Sequence, residues 1–279
     1  MNKVLSMRDP FLCFVPLQAE NTRYYYEMNY ILLTKITLMP LLIAGVTLCV
    51  RRWGAGLGGW IGGFPWVAGP ISFFMAWEQG PSFAAATIPA ALMGALGTFL
   101  FAYSYAVLSK RWSWLPTVLV SYGVFFVVAV VSFYFTPTLP WGILIAVTTL
   151  AAVLYFFPKP TQQVAVARQP RYDIPLRMLV ATLFVLVLTQ AAEKLGPEWS
   201  GLLTPFPIMT STLAVFTHAQ QGSTATIRIM YGLLLTGFGF LTFLVGVHWV
   251  VPILPLGWAY LLLMVVTFGL NGITYRLIR

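Results

Sequence analysis

Two stretches, FPWVAGPISFFMAWEQG at 64–80 and FPIMTSTLAVFTHAQQG at 206–222, decide how this chain reads. Each opens on phenylalanine-proline, runs through an apolar middle and closes on glutamine-glycine. Both fit G-x4-F-P-x8-F-x4-Q-G, through Gly59, Phe64, Pro65, Phe74, Gln79 and Gly80 and through Gly201, Phe206, Pro207, Phe216, Gln221 and Gly222, 142 residues apart. The same ungapped shift pairs Tyr30 with Tyr172, Lys35 with Arg177, Leu41 with Leu183, Thr47 with Thr189, Gly54 with Gly196 and Gly97 with Gly239. Apolar matches arise easily from a small alphabet. Proline, glutamine and glycine matched in register do not, and the pattern reads as an internal duplication.

The chain around these copies is apolar. Of its 279 residues 59% are hydrophobic and 8% charged, and the mean hydropathy is +0.84; there is too little polar surface to coat a water-soluble globule. The sixteen basic and seven acidic residues could suggest nucleic acid as a partner, but the basic residues sit in pairs between apolar runs, where orientation signals belong. The expected partner is therefore the lipid bilayer and not nucleic acid. Cys13 and Cys49 are too far apart in sequence and setting to indicate a disulfide framework or a thiolate metal site.

Apolar runs long enough to cross a hydrocarbon layer of roughly 30 Å number nine: about 30–50, 60–78, 83–108, 113–135, 140–157, 174–192, 202–219, 225–250 and 253–275. Continuous runs of this length fit helices and not the alternating strands of a barrel, so the expected class is an all-α integral membrane protein. Assigning the connections alternately to two sides gives one side Arg51, Arg52, Lys110, Arg111, Lys159, Arg168, Arg171, Arg177, Arg228, Arg276 and Arg279. The other keeps Lys3, Arg8, Arg23, Lys35 and Lys194. The positive-inside rule then puts the N-terminus outside and the C-terminus in the cytoplasm of a bacterial inner membrane.

The expected organisation is a tail at 1–28, a four-span repeat at 29–136, a linker helix and basic cytoplasmic loop at 137–171, and a second four-span repeat at 172–279. FLCFVPL in the tail fits neither a signal peptide nor a span, and Met28 is an alternative start. Five crossings separate the starts of the two copies, so the second enters the membrane from the opposite face. Inverted repeats of this kind place a substrate near the midplane, between broken or kinked helices.

On a helix, residues three or four apart share a face. From Pro65 that face carries Gly69, Ser72, Ala76 and Gln79; from Pro207 it carries Ser211, Ala214, His218 and Gln221. Such small and polar faces either let helices approach closely or line a cavity, where carbonyls freed by the prolines and the hydroxyls of Thr210, Ser211, Thr212 and Ser72 meet a ligand. The two readings can hold at different depths. The candidate substrate-binding residues are thus Phe64, Pro65, Gly69, Ser72, Glu78, Gln79, Phe206, Pro207, Thr210, Ser211, His218 and Gln221. Glu78 reads first as the end of a helix in the interface; the sharper alternative is a proton-coupled carboxylate. Lys35 and Arg177 are expected to snorkel to the interface.

No metal, cofactor or catalytic site is expected. His218 and His248 lack a partner at ligand spacing. GAGLGG at 54–59 matches G-x-G-x-x-G, but no strand precedes it and a membrane helix flanks it. H-E-x-x-H, G-x-S-x-G and paired carboxylates are all missing from the sequence, which speaks against an enzyme.

The second copy, LGPEWSGLLTPFPIMTSTLAVFTHAQQG at 195–222, resembles the core pattern of the GlpM family of small four-span bacterial inner-membrane proteins. In that pattern G-L-x-x-x-F-P leads into an apolar helix and a polar-polar-Gly ending. The resemblance implies that this chain is a duplicated, inverted version of a protein that could pair with itself, and a homodimer of the whole chain stays open. The architecture is similar to drug/metabolite-type transporters. A transporter or exporter of a small metabolite or lipid-linked envelope precursor is the expected function. The alternative is a non-transporting accessory subunit of an envelope polysaccharide or lipid-handling complex.

Overall fold

The computed structural model describes residues 17–135, 137–160 and 173–274. All regular structure among them is helical. In chain order the helices are α1 (Leu17–Gly62), α2 (Ala68–Gln79), α3 (Pro81–Ala86), α4 (Ile88–Leu108), α5 (Trp114–Tyr134), α6 (Leu139–Phe156), α7 (Asp173–Leu203), α8 (Ile208–Gln221), α9 (Ser223–Leu235), α10 (Gly237–Val250) and α11 (Leu256–Thr274). Helix α1 begins inside the segment expected as a tail, while Cys13 lies outside the described residues.

The sequence predicts nine continuous spans. Among the described residues five helices are long and apolar enough to cross a membrane: α4, α5, α6, the 28-residue pair α9–α10, and α11. The bent pair Pro40–Cys49 and Arg51–Gly62, whose halves turn by 118°, makes a sixth only if it is one broken span and not a re-entrant loop. Two of the differences have a local cause. The stretches 60–78 and 202–219, read as unbroken spans, are each cut at Phe-Pro. Proline has no N–H to continue the ladder and clashes with the preceding turn, so α1 stops at Gly62 and α7 at Leu203. The chain then folds into the same tight turn twice. Trp66 N–H donates to the Phe64 carbonyl at 2.7 Å, and Ile208 N–H to the Phe206 carbonyl at 2.7 Å. Pro207, with φ −75° and ψ 50°, is the central residue of an inverse γ-turn.

The far ends of the short helices are also matched. Gly80 has φ 95° and ψ 156°, and Gly222 φ 82° and ψ −176°, a region open essentially to glycine alone. An added Cβ at either position meets nothing within 4 Å, so any penalty there comes from the backbone and not from crowding. Gly80→Ala and Gly222→Ala should each cost about 1–3 kcal/mol. Gly123→Ala, equally uncrowded but within α5, should stabilise by roughly 0.5–1 kcal/mol. Thermal unfolding in detergent compares the three.

Helix α4 is the hub, packed by α5, α6, α7, α9 and α10. Helices α5, α6 and α11 turn large apolar side chains outward, including Val127, Trp141 and Val265, as lipid contact requires. Helix α6 buries only the stripe Gly142, Ala146, Leu150 and Val153, which faces α4 and α10. Two crossings bring backbones together. Gly59 lies against the Ile229 carbonyl, and an added Cβ would sit 2.8 Å from the Ile229 Cα; Gly201 lies against the Thr87 carbonyl, and an added Cβ would sit 2.8 Å from that of Ala90. Small residues allow helices in lipid this approach.

Candidate functional site

The two Phe-Pro turns face one cavity of about 70 Å³. Its wall takes Gly62, Gly63, Phe64 and Pro65 from the first turn and Thr204, Pro205, Phe206 and Pro207 from the second. Val67 and Ala68 at the start of α2, and Met209 and Thr210 at the start of α8, add to it. Helix α4 contributes Thr98, Phe99 and Ala102, and α9–α10 closes the wall with Leu233, Leu234, Gly237 and Phe240. Four helix ends therefore converge: the C-terminal ends of α1 and α7 and the N-terminal ends of α2 and α8. The Thr98 hydroxyl donates to the Pro205 carbonyl and so holds one turn to α4.

The aromatic rings of the turns are clamped from outside. Phe64 packs on Phe268 of α11 with ring centroids 4.4 Å apart, and Phe206 on Phe126 of α5 at 6.1 Å. Phe206 also stacks on Tyr122 at 5.5 Å and meets Phe125 edge-on at 5.0 Å. Immediately beyond the turns, Ser211 accepts a 2.7 Å hydrogen bond from the Tyr122 hydroxyl. At the matching place in the first copy, Gly69 packs on Met264.

Of the residues that the sequence singles out, Phe64, Pro65, Phe206, Pro207 and Thr210 line the cavity. Gly69, Ser72 and Ser211 are buried but do not; Gly69 faces α11 and Ser211 faces α5, so the small-residue faces pack against those outer helices and not across the cavity. Ser72 donates to the Gly69 carbonyl at 3.0 Å. Glu78 and Gln79 are exposed at the end of α2, outside the cavity wall. Gln221 is half-buried at the far end of α8, where His218 Nδ1 lies 3.4 Å from the Tyr105 hydroxyl. His248 Nδ1 lies 2.9 Å from the Ala85 carbonyl.

Arg177 corrects an expectation. It does not snorkel: the side chain is 0% exposed, and its guanidinium carbon stands 4.8 Å from the centroid of the Phe216 ring. A planar, weakly hydrated guanidinium is suited to an aromatic face, which gives the second phenylalanine of the motif a role in this copy. The side chain of Lys35, its sequence counterpart, lies outside the described residues.

The helices and the cavity among them define an all-α membrane protein. Compared with known proteins, the chain matches no family model, no curated protein and no solved structure.

Proposed function

We propose that this chain is a secondary transporter of a small solute, working by alternating access between two inverted repeats, with the solute held between the turns at Phe64-Pro65 and Phe206-Pro207. The observation that carries the reading is the cavity bounded by both turns. Broken helices that meet at an internal opening are what transport requires of an otherwise lipid-compatible backbone.

The inversion is supported by contacts that recur with their partners exchanged. One shift of 142 residues carries Gly59 against Ile229 into Gly201 against Thr87, Phe64 against Phe268 into Phe206 against Phe126, and Gly69 against Met264 into Ser211 against Tyr122. In each pair the first-copy residue touches the second copy or the reverse, which is the pattern of an isologous two-fold. On the inverted-repeat reading that axis lies in the membrane plane. Each half then stands for one small membrane protein of the GlpM kind. The positive-inside asymmetry puts the C-terminus in the cytoplasm of a bacterial inner membrane.

The cavity size bears on the cargo. A void of about 70 Å³ is roughly half of the ~150 Å³ that accepts benzene, so a small metabolite suits it and a lipid-linked precursor does not. The accessory-subunit reading calls for a dry, close-packed axis, and the cavity weighs against it. Stopped-flow light scattering of proteoliposomes, challenged with gradients of small neutral and ionic solutes, tests the proposal. Faster relaxation than in protein-free vesicles is expected for at least one solute. Identical traces for every solute, together with a larger protein that co-purifies, would establish the accessory role instead.

A further inference from the structure

The cavity wall carries more backbone polarity than its side chains reveal. Among the described residues, no hydrogen bond is made by the N–H groups of Val67, Ala68, Met209 and Thr210. The carbonyls of Gly62, Gly63 and Thr204 likewise accept none. Every one of these residues lines the cavity. Buried backbone groups without partners each cost as much as a lost hydrogen bond, and in a membrane interior water does not reach them from lipid. Thr210 adds an independent sign: it is only 8% exposed, and its hydroxyl also has no partner among the described residues. The residues that carry these unmatched donors and acceptors therefore line a common space.

Charge narrows the ligand further. No ionisable side chain lines the wall. The C-terminal ends of α1 and α7 each bring about half a negative charge, and the N-terminal ends of α2 and α8 about half a positive one. The two pairs offset each other at the cavity. An ion entering here would lose its hydration without a net counter-charge, which is costly; a molecule with both donors and acceptors loses little.

Resting on the reading of this cavity as the solute site, we infer that its ligand is a small neutral molecule of the amide or urea class, with N–H groups directed to the carbonyls of Gly62, Gly63 and Thr204 and an oxygen directed to the N–H groups at the starts of α2 and α8 and to the Thr210 hydroxyl. Acetamide, acetate and methylammonium separate neutral, anionic and cationic forms at nearly one size. Saturation-transfer NMR on the full chain in nanodiscs should show transfer to the acetamide methyl at least about fivefold stronger than to either ion, as expected when a desolvated charge goes unmatched. Thr210→Val should remove most of that signal and Thr210→Ser should keep it. Equal or stronger transfer to acetate or methylammonium overturns the inference, as does undiminished transfer in a folded Thr210→Val protein. Should Thr210→Val fail to fold, the three-probe comparison on the unaltered chain decides alone. An ion bound in place of acetamide, with vesicle transport intact, refutes the ligand class and leaves the transport reading standing.

Discussion

Pro65→Ala should lower solute flux at least about tenfold, equivalent to about 1.4 kcal/mol on the barrier, while the protein stays folded. Alanine restores an N–H at position 65 and removes the ring that forbids a preceding helical turn. Helix α1 can then propagate toward α2, drawing the Gly62 and Gly63 carbonyls back into a ladder and away from the cavity. The corresponding change Pro207→Ala should do less, because Pro205 still interrupts the second break. Flux into proteoliposomes, normalised to folded protein by size exclusion, measures both. Equal loss in the two variants, or no loss in Pro65→Ala, would count against the open turns as the site.

Gly201→Val and Gly59→Val should each destabilise the fold by about 3 kcal/mol, the upper part of the usual range for overpacking. At both crossings the obstacle to a side chain includes backbone: the Thr87 carbonyl for Gly201 and the Ile229 carbonyl for Gly59. A carbonyl oxygen held in a helix cannot rotate aside as a side chain can. Relief requires α7 to withdraw from α4, or α1 from α9. Similar losses in the two variants, read from thermal unfolding in detergent, would agree with crossings of like geometry. A loss confined to one would show that they carry unequal loads.

The helical class was legible, because long apolar runs act locally, and the Phe-Pro pairs were visible as breakers, but the spans at 60–78 and 202–219 were read through them as continuous. The sequence failed where tertiary geometry chose among equivalent local patterns. The face of Gly69, Ser72 and Ser211 has the small and polar residues that a cavity wall would have, yet the γ-turns aim it at α11 and α5. Thr98, Phe99, Ala102 and Phe240 were missed since they belong to helices without the motif and look like ordinary span residues; the pairing of Gly97 with Gly239 was the only hint that these helices matter. Arg177 was misread because a basic residue near a span end usually finds the interface, and nothing in sequence spacing announces that Phe216 lies above it. The orphaned backbone groups have no sequence signature beyond the prolines themselves.

Helices α2 and α8 each run between two interruptions: a γ-turn at the cavity and a glycine with positive φ at the other end. The glycine-lined crossings of α1 with α9 and of α7 with α4 have no such freedom. A rod jointed at both tips can tilt without dragging its neighbours. On the transport reading, alternating access would then run through a fixed frame carrying a pair of short levers, each pivoting beside the solute. The stroke of such levers would be set by rods of 12 and 14 residues, about 18 and 21 Å long, and not by the width of the whole protein.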